Sequence, residues 1–99
     1  MADVKIYPDE IRAYWELKQP NSTSGAERED AAIHALEEKG SAMVDGWNSS
    51  PSPQKYEYYN VKLLRIEDEG SETHHDPITQ VNSHRAWGTG VGKLEYTLK

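Results

Sequence analysis

The chain has 99 residues, no cysteine, 35% apolar residues and a formal net charge of −6. That length is one domain. The missing cysteines exclude disulfide bracing, and the negative charge speaks against a broad nucleic-acid grip, which needs a cationic face. Ordering a residue costs about 1.5 kcal/mol, against about 25 cal/mol per Å² of apolar burial, so a core this lean leaves little margin. Phe is absent, and three Trp and six Tyr carry the aromatic content. Amphipathic rings suit half-wet interfaces, and we expect a partner subunit to supply the missing burial. No apolar run approaches 18 residues, so no membrane helix is expected. Met1 to Lys5 lacks a secretion-signal pattern, and synthesis in the cytoplasm is the expectation.

Val4 and Ile6 alternate with charged neighbours and read as a short strand or extended arm. Pro8, followed by Asp9 and Glu10, resembles a helix start. Ile11, Tyr14, Trp15 and Lys18 share a face at helical spacing, which predicts a short helix ending before Pro20. Residues 1–23 therefore read as an N-terminal arm and short helix. Ser24-Gly25-Ala26-Glu27 has capping-box spacing. Ile33, Leu36, Gly40, Met43 and Trp47 then recur at steps of three and four, predicting a long helix over residues 24–47. Its other face is mostly charged: Glu27, Arg28, Glu29, Asp30, Glu37, Glu38 and Lys39. Gly40 falls inside the apolar stripe, and the expectation is an unbroken helix with close backbone approach there.

The Ser/Pro segment 48–54 is a polar joint. Lys55 to Glu67 reads as a long strand with apolar groups on both faces, so both are partly covered. Asp68 to Glu72 reads as an acidic turn, and His74-His75-Asp76-Pro77 as its continuation. Ile78 to Trp87 is a second strand, and Lys93 to Leu98 alternates as a third. Between them Gly88, Gly90 and Gly92 suggest a hairpin turn needing positive φ. The expected fold is α+β: a long helix, plus the short N-terminal one, on a three-stranded antiparallel meander spanning residues 55–99.

No constellation carries a catalytic signal. The glycine run fails the P-loop pattern, since Leu follows Lys93, and no helix follows it for a dinucleotide fingerprint. His74, His75, Asp76 and His84 form the one metal-like cluster, but adjacent histidines on an extended chain point opposite ways. A solvated loop accounts for them better, and we expect no metal, no cofactor and no catalytic residues. Arg85 beside Trp87 suits an interface, both being favoured hot-spot types. The candidate interface set is Tyr14, Trp15, Trp47, Tyr58, Tyr59, Arg85 and Trp87.

The order of elements from residue 24 to 99 resembles the small head–tail connector, or tail-completion, proteins of long-tailed bacteriophages. The matching pieces are the helix Ala26 to Trp47, the loop Asn48 to Pro53, the aromatic strand Tyr56 to Ile66, and Ile78 to Trp87 ending on Gly88-Thr89-Gly90. Family members often carry an acidic residue before the Gly-Thr, where this chain has Trp87, and basic residues on the long helix, which here is acidic. The resemblance implies a non-enzymatic virion structural protein, made in the host cytoplasm and assembled as a ring with itself and with neighbouring neck, portal or tail proteins. DNA would slide past an acidic lumen without specific binding. A small acidic binding module, such as an immunity or inhibitor protein blocking a basic partner, is the alternative. A small histidine-based enzyme or metal protein is the third reading.

Overall fold

The computed structural model describes residues 3–99. Its first surprise lies at the N-terminus. Residues 8–19 form no helix: Val4–Ile6 is strand β1 and Ile11–Gln19 is strand β2. Ile11 and Trp15 are buried, Ala13 and Leu17 are partly so, and Tyr14 between them is 58% exposed. That is a period of two. The helical spacing of Ile11, Tyr14, Trp15 and Lys18 was real, but strand pairing to the C-terminal segment overrides it. Pro8 does not start a helix either. It sits in the bend that divides one sheet edge into β1 and β2, where a missing N–H costs least.

The glycine run is also not a turn. Gly88, Gly90 and Gly92 lie inside one 17-residue strand, β4, Asn82–Leu98, and no described glycine has positive φ. The two expected strands, Ile78 to Trp87 and Lys93 to Leu98, are thus parts of a single element, which begins only at Asn82. β4 is the spine of the sheet. It pairs antiparallel with strand β3, Tyr56–His75, on one side, and with β1 and β2 in tandem on the other. Among the described residues the sheet has four strands in place of a three-stranded meander.

The helix α1 runs unbroken over Gly25–Asn48 and joins β2 to β3 across one face. Its capping box is formed: the Ser24 hydroxyl accepts from the Glu27 amide, and the Glu27 carboxylate accepts from the Ser24 amide, each at 3.2 Å. Ala32, Leu36, Gly40 and Val44 are its buried line, and Ile33, Met43 and Trp47 flank it, half-buried. The glycines explain how close it lies. A Cβ on Gly90 would stand 3.1 Å from Ala32 Cβ, one on Gly40 would stand 2.9 Å from Leu94 Cδ1, and one on Gly92 would meet both Leu36 Cδ1 at 3.0 Å and, from the neighbouring strand, the Lys62 carbonyl oxygen at 2.5 Å. Glycine is used here for proximity rather than for positive φ. Leu36 and Leu94 are fully buried, each contributing about 1.5–3 kcal/mol.

β3 is longer than its hydrophobic pattern suggests. The acidic segment Asp68 to Glu72 does not turn the chain. It holds a β-bulge between Glu67 and Gly70, with Asp68 at φ 54°, and the strand continues through His74 and His75. The reversal comes at residues 76–81. There Asp76 Oδ1 accepts from the amides of Ile78 at 2.9 Å and Thr79 at 3.4 Å, an Asx-type turn that holds its carboxyl below the usual range. The hairpin β3–β4 makes the molecule long, 60 × 24 × 22 Å.

Candidate functional site

The helix covers the face of β4 that carries Gly90, Gly92 and Leu94, so Arg85, Trp87, Thr89, Val91 and Lys93 project to the opposite, open face. Three of the candidate interface residues meet there. Arg85 lies 4.5 Å over the Trp87 ring, within cation–π range. Its guanidinium reaches Glu16 at 2.7 Å, Glu72 at 3.5 Å and the Tyr14 hydroxyl at 3.4 Å. Tyr14 in turn donates to Glu16 at 3.2 Å, and Lys18 pairs with the same carboxylate at 3.3 Å. Arg85 holds the Glu16 carboxyl below its usual range, and Glu16 pushes the Arg85 guanidinium up. The Trp87 indole lies against Gly70, where a Cβ would stand 2.3 Å from it. Gly70 is therefore the seat of that ring.

A second ion cluster repeats the pattern further along. Arg65 pairs with Glu10 and with Glu67, each at 2.7 Å, and Arg12 reaches Glu67 at 3.7 Å. The hydrogen bond from Arg65 lowers the Glu10 carboxyl. Val91 is fully buried on this face although no helix covers it. Its cross-strand neighbours are Arg12 and Arg65, whose aliphatic stems shield it. The open face is thus a lattice of paired charges.

The other candidates disperse. Trp15 is 3% exposed and belongs to the core beside Ala32 and Ala86, so it offers almost no surface to a partner. Tyr58 is half-buried against Gly40, its hydroxyl pushed up first by burial and then by Glu37. Tyr59 sits at a register shift and is 59% exposed. Trp47 lies at the far end of the sheet from the hairpin turn. It packs on Tyr7, Tyr56 and Tyr96 with ring centroids 5.2–5.6 Å apart, beside an open cleft of about 440 Å³. Sequence reasoning missed Tyr7, Glu16, Gly70, Glu72 and Tyr96. Glu16 and Arg85 are 69 positions apart, and only the register of β2 on β4 brings them together.

The histidines do not converge. His75 Nδ1 lies 2.6 Å from Asn82 Oδ1, and His84, buried, lies 3.0 Å from the Thr73 hydroxyl. Among the described residues no three His, Asp or Glu side chains are grouped to hold a metal ion. The most exposed of the large apolar side chains is Ile78 at the hairpin turn, 90% exposed, with Val81 beside it at 57%. No helix among the described residues is long and apolar enough to cross a membrane. Compared with known proteins, the chain matches no family model, no curated sequence and no solved structure.

Proposed function

We propose that this protein is a non-enzymatic virion structural protein of a long-tailed bacteriophage, one subunit of the ring-shaped head–tail connector between portal and tail. The observation that carries the reading is the hairpin. A compact chain of this length has a radius of gyration of about 13 Å. This one has 17.5 Å, because β3 and β4 project to a turn that exposes Ile78 and Val81. A long arm with apolar side chains at its end costs solubility unless a neighbour covers it. The helix–loop–strand order that resembles connector proteins supports the same reading. Its partners would be copies of itself and neighbouring neck, portal or tail proteins. DNA would pass without specific contacts, and assembly would place the protein in the virion after synthesis in the host cytoplasm.

One observation favours the alternative, a small acidic module that blocks a basic partner. α1 carries six carboxylates against Arg28 and Lys39, so most of the charge of −6 sits on the helix. Negative-stain electron microscopy of the purified protein separates the two. Closed rings are expected for a connector subunit. Single particles that bind a basic protein one to one would reject the ring and favour the inhibitor.

A further inference from the structure

A groove of about 480 Å³ runs between β2 and α1, and it combines three features. Its floor is apolar: Trp15, Leu17, Ala31 and Ala35. Its helical wall is acidic, with Glu27, Asp30 and Glu38 lining it and no Lys or Arg among the lining residues. Arg28, the nearby cation of α1, points to the other flank, where it bonds Thr23 and Glu69. Glu38 meets only His34, at 3.3 Å, and Asp30 pairs with no cation among the described residues. The third feature is the strand edge itself. β2 is bonded to β4 on one side only, and its outer edge carries no strand among the described residues.

That edge differs from the other long edge of the sheet. β3 meets β4 with three register shifts and has Asp68 at φ 54°, devices that spoil an edge for further pairing. β2 matches β4 residue for residue over all nine positions, with no bulge and no proline. Its backbone groups are a regular template for an added strand.

We propose that this groove binds an extended, lysine- or arginine-bearing segment of a partner protein, which adds to β2 as a further strand. Its backbone bonds the β2 edge. Its apolar side chains rest on Leu17, Ala31 and Ala35, and its cations face Glu27, Asp30 and Glu38. Charge complementarity selects a basic partner over a second copy of this chain, whose net charge is −6. The inference stands whether or not the protein forms rings.

The test uses the whole protein and a capped peptide of alternating Lys and Val as long as β2. Amide NMR shifts confined to Ile11–Gln19 and the facing turns of α1 are expected, together with a shift of the Trp15 indole proton. Affinity should fall about tenfold or more in the double variant Asp30→Asn, Glu38→Gln, and likewise on raising salt from about 0.05 M to about 0.5 M. Both substituted residues are exposed, and an unchanged melting curve verifies the fold. N-methylating alternate peptide bonds should abolish binding, because it removes the ladder donors. Absent shifts at millimolar peptide overturn the proposal, as does equal binding by the double variant or by a Glu–Val peptide. Shifts of the same amides that depend on the protein's own concentration alone would assign the edge to a second copy instead.

Discussion

The stretch of sheet under the helix and the stretch beyond it are built on opposite principles. Under α1, β4 gives up side chains: Gly88, Gly90 and Gly92 let Trp15, Ala32 and Leu36 press close to the backbone, and burial does the holding. Towards the hairpin turn the same strand carries Arg85 and Trp87, held across the open face by Glu16, Glu72 and the seat at Gly70. Beyond them, over residues 71–83, every residue but Asp76 is exposed, up to Ile78 at the turn. One strand therefore serves two purposes. Its helix-covered part determines whether the chain folds, and its projecting part is free to change what the chain touches.

That contrast can be broken in graded steps. Gly92→Ala should do the most damage, about 3 kcal/mol or more, because the new Cβ meets the Lys62 carbonyl, which is main chain and cannot swing aside. Urea melts measure it, and a loss under about 1 kcal/mol would mean that the strands separate easily there. Leu36→Ala should cost about 2–5 kcal/mol through the cavity it leaves. Gly40→Ala sharpens the point, since helix propensity alone would gain about 1 kcal/mol. Crowding against Leu94, Tyr58 and Val61 should outweigh that gain, and a stabilised variant would show that α1 sits further from the sheet.

The charged lattice predicts a smaller, pH-dependent effect. Glu10 and Glu16 have carboxyls lowered by hydrogen bonds from Arg65 and Arg85. Their contribution is complete above the ordinary carboxylate pKa and is lost as pH falls through the lowered values. The double variant Arg65→Met, Arg85→Met should therefore lose stability at neutral pH and show a shallower acid limb in denaturation series. An acid limb identical to that of the parent would show that these exposed pairs contribute nothing. Smallest of all on stability, within about 0.5 kcal/mol, should be Ile78→Asp at the exposed turn.

The helix was legible because its signals are local: the Ser24–Glu27 capping box and a repeat of three and four are written within one segment. The strands were legible as extended chain but not in their limits. A glycine triplet reads as a turn when the helix lying on it is unknown, and Asp68–Gly70 reads as a turn when it is a bulge. β2 was misread because Ile11, Tyr14 and Trp15 satisfy a helical period by coincidence, and only the partner strand β4 decides between periods. The site shows the same limit. Arg85 and Trp87 stand out as a neighbouring pair, whereas Glu16, Gly70 and Glu72 acquire their places from register alone.

The central claim is that the projecting hairpin makes this chain a subunit. Sedimentation velocity over a wide concentration range, for the parent protein and for Ile78→Asp, tests it most directly. The parent should assemble into one closed species of fixed stoichiometry, and the variant should stay folded but monomeric. A parent protein that sediments as a monomer at every concentration, or a variant that assembles as the parent does, would contradict the account.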